Sequence, residues 1–274
     1  MTQDPSSDAA QGPVRLDVAD GIATLVLDNP ANLNAASAAM MTALDHRLAQ
    51  LEQMAGLRVV ILTGAGRAFC AGGDLIEFRA ALDAGGTQLL DTLLFNQTVI
   101  DRIEALPVPV IGVANGIAVA GGLELLLACD MTLAADTARL GDGHARYGVL
   151  PAGGATVRLV ERIGPARAAQ LFYTADLIDA PTALSWGLVN EVWPQADLMP
   201  RARSLAAAMT RASPEVLRRT KRLTAAEWRY PDREARLRAE IAGFAAHIRG
   251  HDLRDGLAAF GAKETPVYRD PVTG

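Results

Sequence analysis

Two apolar runs, LRVVILT at 57–63 and VPVIGVAN at 108–115, constrain the fold more than any other feature of this chain. Neither alternates with a period of two, so each reads as a strand buried on both faces rather than a half-solvated one. Such strands need helices on both sides of their sheet, and the sequence supplies them. Ala36 to Leu51 has helical periodicity and ends near Gly56. A second helix is expected from Gly86 to Leu106, stopped by Pro107 and Pro109. MTLAAD at 131–136 is a third strand, and VRLDVADGIATLVLDNP folds back on itself at Asp20-Gly21, a strong hairpin signal. Strand, loop, helix and strand in this rhythm predict an α/β class with right-handed crossovers.

The character changes after Pro151. Short helices are expected across 153–186 and a last short strand at VNEVW, 189–193. Beyond Pro194 the chain reads as helical, with amphipathic stretches at 197–212, 214–228 and 232–261. The expected organisation is a disordered tail at 1–12, an α/β core at 13–195 and a helical region at 196–274 that packs on the core or on a neighbouring subunit.

Charge and cysteine content narrow the function. Lys+Arg is 26 against 31 Asp+Glu, a net charge of −5, which argues against broad nucleic-acid binding. Lys221 and Lys263 are the lysines, so an anion site must lean on arginine or backbone N–H groups. Cys70 and Cys129 cannot build a disulfide framework, which suits a reducing compartment. The opening MTQDPSSDAAQGP lacks the basic start and apolar run of a secretion signal, and no apolar stretch reaches the length of a membrane span. A cytoplasmic protein is the expectation.

Three segments could carry chemistry. In GAGRAFCAGGD, Phe69 stands where a dinucleotide fingerprint needs its third glycine, so that motif fails. What remains is a tight turn, Ala71-Gly72-Gly73, whose backbone is free to approach a ligand or simply connects two elements. Next, Gly121 and Gly122 open a helix whose first N–H groups lack intrahelical partners and point at whatever binds there. Glu124 follows Gly121 at i+3 on the same face, among apolar residues whose burial would raise its pKa, as suits a general acid or base. A first-turn Glu that merely complements the dipole is the alternative. The third segment is the Gly-bounded loop LGDGHARYG, where His144 either carries protons or only holds the fold. Elsewhere, His247 and His251 lack the Glu of a zinc-protease motif, no G-x-S-x-G occurs, and Cys70 reads better as a packed thiol than as a nucleophile.

Together these segments resemble the enoyl-CoA hydratase/isomerase (crotonase) family from about Val14 to Tyr268. The matching pieces stand in family order: NPANLNA, RAFCAGGDL, PVIGVANGIAVAGGLELLLACD, LPAGGATVRL, GLVNEV and DGLAAFGAKETP. The resemblance implies a spiral of ββα turns with C-terminal helices that build a homotrimer or a dimer of trimers. It implies an acyl-CoA substrate, with coenzyme A bound only as part of it and no metal or other cofactor. Gly73 and Gly121 match the two backbone donors that hold the thioester oxygen as an enolate forms. Glu124 matches the first of the family's two proton-carrying glutamates. The second position holds His144, a departure that leaves the specific reaction open.

Substrate contacts are expected at Ala71, Gly72, Asp74 and Leu75 around the turn. Where family members carry basic residues for the CoA phosphates, this chain has Ala31 and Ile76. Arg67 and Lys263 are the remaining candidates, Lys263 from a neighbouring subunit. The leading expectation is enoyl-CoA hydration or its reverse, with Glu124 activating water and His144 carrying the α-proton. The alternatives are hydrolysis of a C–C bond in a cyclic diketone or ring acyl-CoA, double-bond isomerisation, and a non-catalytic acyl-CoA-binding protein. A nicotinamide-dependent dehydrogenase is not expected, because the GAGRAF fingerprint fails.

Overall fold

The computed structural model describes residues 12–225, 235, 238, 241–242, 244, 246–247 and 251–268. The expected tail at 1–12 therefore lies outside the described residues except for Gly12, and so do 12 of the 30 residues of the expected helix at 232–261.

The hairpin forms as its sequence predicts. β1 (Val14–Ala19) pairs antiparallel with β2 (Ile22–Leu27), Val14 opposite Leu27 and Ala19 opposite Ile22. Asp20 and Gly21 both take positive φ, 52° and 76°, as a two-residue turn of this hand requires. The two apolar runs become β3 (Val59–Gly64) and β5 (Val110–Ala114), nearly or wholly buried along their length. With β7 (Met131–Ala135) and β10 (Glu191–Trp193) they complete a six-stranded sheet of order β1-β2-β3-β5-β7-β10, parallel from β2 onward.

A second, smaller sheet is the main feature that sequence patterning does not reveal. β4 (Ala68–Cys70), β6 (Ile117–Val119), β8 (Arg139–Gly141) and β9 (Ile178–Asp179) lie in that order, β4, β6 and β8 parallel. Each large-sheet strand β3, β5 and β7 is followed at once by a small-sheet strand, β4, β6 and β8. A helical segment then returns the chain, so the core is a spiral of two strands and a helical return per turn. Strands of two or three residues are too short to show a period, which is why composition and periodicity alone do not mark this sheet.

The corner from β3 to β4 depends on two buried amides. Asn34 Nδ2 donates to the carbonyls of Ala65 and Ala68 at 2.9 and 2.8 Å, and its Oδ1 accepts from Asn29 N at 2.8 Å. Asn115 Nδ2 donates to Gly66 O at 2.9 Å and Ala68 O at 3.2 Å, while its Oδ1 accepts from Gly64 N. The asparagines of NPANLNA and GVAN thus satisfy the carbonyls of this corner, and both donate to Ala68 O at the start of β4. Asn34 also sits at φ 56°, a region asparagine tolerates better than most residues. Asn34→Leu is expected to cost about 2–4 kcal/mol, because it leaves buried polar groups unpaired. A urea midpoint unchanged from that of the native chain would contradict this assignment.

The core lies between the large sheet and its covering helices. α1 (Ala38–Glu52) buries Met40, Met41, Leu44, Leu48 and Leu51, and its Ser37 cap accepts from Met40 N at 3.2 Å. α2 (Leu75–Asp83), a helix the sequence reading does not name, and α3 (Thr87–Ala105) follow β4. α4 (Gly121–Leu127) follows β6 and is buried from Gly122 onward. α5 (Ala155–Ile163) and α6 (Pro165–Thr174) come after β8, and α7 (Ala180–Trp186) precedes β10. α8 (Gln195–Thr210) lays Leu198, Ala202 and Ala206 at i, i+4 spacing on the large sheet. Alanines there let helix and sheet approach closely. α9 (Pro214–Ala225) is tied to the core through Lys221, which donates to Val108 O and pairs with Asp130 at 2.7 Å. α10 (Asp252–Ala262) is the last described helix. No helix among the described residues is long and apolar enough to cross a membrane.

Candidate active site

The chain's ββα turns bring three distant segments to one cavity: the Ala71–Gly73 turn after β4, the start of α4, and the loop after β8. Gly73, Gly121, Glu124 and His144 all line it, with Ala71, Leu75, Phe78, Ile100, Tyr147 and Leu150 among the surrounding wall. Apart from Asn96, Glu124 and His144, its lining side chains are apolar or aromatic, with only the Tyr147 hydroxyl added.

Two backbone donors meet at this cavity. A Cβ added to Gly121 would stand 3.6 Å from the Gly73 nitrogen, so the two glycines are direct neighbours. Neither N–H finds an acceptor among the described residues. At Gly73 the reason is the bridge to Ala36, which uses the Ala36 N–H and the Gly72 carbonyl at 2.8 Å and leaves the Gly73 N–H out. At Gly121 the reason is its place as first residue of α4. The helix has only 7 residues, so the two exposed N–H groups matter more here than a macrodipole. Ala120 turns the chain into the helix at φ 53°, a conformation an L-residue rarely adopts. It is held there by its N–H on Gly141 O at 3.2 Å and by Glu124 N on its carbonyl at 3.0 Å.

Glu124 is 4% exposed. Its Oε1 accepts from Gly153 N at 2.8 Å and Ala155 N at 3.1 Å, which fixes the carboxylate plane. Oε2 has no protein partner among the described residues and is not sealed, so it is the oxygen available to a ligand. Gly153 is required beside it: a Cβ there would lie 2.5 Å from Oε2 and 2.7 Å from Ile100 Cδ1. Arg158 steadies this loop by donating to Gly153 O at 2.9 Å while paired with Glu104 and Asp101. Gly153→Ala is therefore expected to push the carboxylate out of place and lower kcat by about 10–100-fold, with the fold retained. A crystal structure of the variant with Glu124 unmoved would contradict that.

His144 opens a short 3-10 turn, His144–Tyr147. Its Nδ1 lies 2.8 Å from Asp142 Oδ1, and its backbone N donates to Asp142 Oδ2 at 3.2 Å. Asp142, with its side chain 2% exposed, was not among the residues singled out from sequence. The G-D-G-H spacing was its signal, since Asp commonly bonds the backbone two residues on, and Gly143 at φ 66° permits the turn.

The other expected site residues divide. Ala71 and Leu75 line the cavity. Gly72 supports it from behind through its carbonyl, and Asp74 caps α2 by accepting from Ile76 N and Glu77 N. Arg67 is exposed in a separate groove with Asn115, Thr137, Arg139 and Gln195. Lys263 is exposed just beyond α10 and does not line the cavity. Neither base is brought to the cavity within one chain. Cys70 and Cys129 are both buried, which pushes their thiols up to about 11 and about 12, so neither is poised as a nucleophile.

Comparisons with known proteins point to one family. Residues 17–271 match the enoyl-CoA hydratase/isomerase family. A Bacillus subtilis protein assigned as an enoyl-CoA hydratase/isomerase is 36% identical over 249 residues, covering 90% of this chain and 94% of its own. A crotonyl-CoA hydratase of Syntrophomonas wolfei is 31% identical over 246 residues, 89% of this chain and 93% of that protein. The crystal structure of an enoyl-CoA hydratase from Bacillus anthracis superposes with a TM-score of 0.88 at 36% identity, covering 93% of this chain and 98% of that one. With a crotonase-type spiral core, a C-terminal helical region and a family match spanning nearly its whole length, this chain belongs to the enoyl-CoA hydratase/isomerase family.

Proposed function

We propose that the protein adds water across the conjugated double bond of an enoyl-CoA, or removes it in reverse. The observation that carries this reading is the convergence of two acceptor-free N–H groups, Gly73 and Gly121, on the cavity that also holds the open Oε2 of Glu124. The thioester oxygen accepts from both N–H groups. Glu124 Oε2 takes a proton from water as its oxygen bonds to the β-carbon. The double-bond electrons move toward the thioester, and the enolate oxygen that forms is held by the same two donors, which act where charge develops. His144 then delivers a proton to the α-carbon, so the net change is one water added.

The apolar wall suits an acyl chain, and coenzyme A enters as part of the substrate. Lys263 fits this reading as a phosphate contact supplied by a neighbouring copy in a trimer. A second reading keeps the enolate and changes the outcome, to double-bond isomerisation or C–C hydrolysis. It is favoured by an imidazole standing where the family carries a second carboxylate.

Incubation with crotonyl-CoA tests the first reading through the conjugated enoyl-thioester absorbance. Rapid loss with formation of a hydroxyacyl-CoA is expected. Absorbance that stays constant with crotonyl-CoA and with longer enoyl-CoAs would set hydration aside in favour of the second reading.

A further inference from the structure

We propose that Asp142 is a positioning residue for His144, fixing the ring in the tautomer with hydrogen on Nδ1 so that Nε2 is the nitrogen that meets the substrate. This rests on the proposed role of His144 as a proton carrier and assigns the atom through which it acts. The geometry is specific. Both oxygens of Asp142 are spent on one residue, Oδ1 on the His144 ring at 2.8 Å and Oδ2 on its backbone N–H at 3.2 Å.

An ionised carboxylate has only acceptors, so a neutral imidazole facing it must place its hydrogen on Nδ1. The Asp142 side chain is 2% exposed and that of His144 is 10% exposed, so water competes little for the bond. Nε2 has no protein partner among the described residues and is not sealed, in a residue that lines the cavity. Gly143, between the two residues, has no room for a side chain. A Cβ there would collide with Val119 Cγ2 at 2.4 Å, in a backbone conformation at φ 66°. A neutral His144 in this tautomer accepts a proton at Nε2, and in its charged form gives it back from the same atom, as a reversible step at the α-carbon requires.

The test reads the ring directly. Ring ¹⁵N spectra of the native protein are followed upward in pH until each imidazole carries one proton. The chain has 4 histidines, and His144 is assigned by the signals lost in His144→Gln. An Nδ1–H tautomer with bare Nε2 is expected, and an Nε2–H tautomer would overturn the assignment. In Asp142→Asn the amide can turn its N–H₂ toward Nδ1, so the hydrogen is expected to move to Nε2. The same variant is expected to lower kcat for crotonyl-CoA by about 10–100-fold with KM within about threefold. A variant that keeps the native tautomer, or loses only stability or KM, would show Asp142 to be structural. Should the native protein leave crotonyl-CoA and longer enoyl-CoAs unchanged, hydration fails as the reaction, while the native tautomer still decides the role of Asp142.

Discussion

Glu124→Gln lowers kcat for enoyl-CoA hydration by about 10²–10⁴-fold, the range expected when a positioned general acid–base group is lost, while KM moves by less than about threefold. The substitution is nearly isosteric. A glutamine oxygen can still accept from Gly153 N and Ala155 N, the two donors that now hold Oε1 at 2.8 and 3.1 Å. The loop over α4 therefore keeps its place and the cavity its shape. What disappears is the proton acceptor at Oε2, which an amide nitrogen cannot replace. A loss confined to kcat separates this from damage to the site, because a collapsed cavity would raise KM as well. Steady-state kinetics with crotonyl-CoA reads both constants, and a variant within about threefold of native kcat would remove Glu124 from the chemistry.

Gly121→Pro is the second large effect, with kcat/KM reduced by about 10²–10³-fold, the cost of losing one donor to a developing oxyanion. Proline is tolerated at the first position of a helix, where the N–H has no intrahelical partner. A Cβ at this position meets only ordinary contacts, the nearest being Gly73 N at 3.6 Å. Ala120, just before it, sits at φ 53° and ψ −120°, outside the extended region that a residue before proline prefers, so circular dichroism must show a retained fold before the kinetics are read. The ring removes the donor and occupies the space in front of it, so binding and turnover both suffer. That pattern differs from Glu124→Gln and allows the two contributions to be separated. Unchanged kcat/KM in a folded variant would mean that the thioester oxygen is held elsewhere.

Much of this site is legible in the sequence because its parts follow local rules. A glycine pair opening a helix exposes N–H groups whatever surrounds it, and Glu124 shares a face with Gly121 by helical spacing alone. His144 stands out in a Gly-bounded loop. The partners that give these groups their geometry are not local. Gly153 N and Ala155 N reach Glu124 from about thirty residues further along the chain. Asp142 looks like an ordinary turn residue until the fold buries it. The separate groove of Arg67 follows from the short strand β4, whose three residues carry no period. The spiral itself came through resemblance, since the small sheet is built from strands shorter than any pattern can mark.

Deuterium labelling tests the central claim most directly. Crotonyl-CoA is incubated with the native protein in D₂O, and the product is analysed by mass spectrometry and NMR. The account predicts a 3-hydroxyacyl-CoA with one deuterium retained at the α-carbon, as required when an enolate held by Gly73 and Gly121 is protonated there. A product with its double bond moved, a cleaved acyl chain, or a hydroxyacyl-CoA without α-deuterium would contradict it.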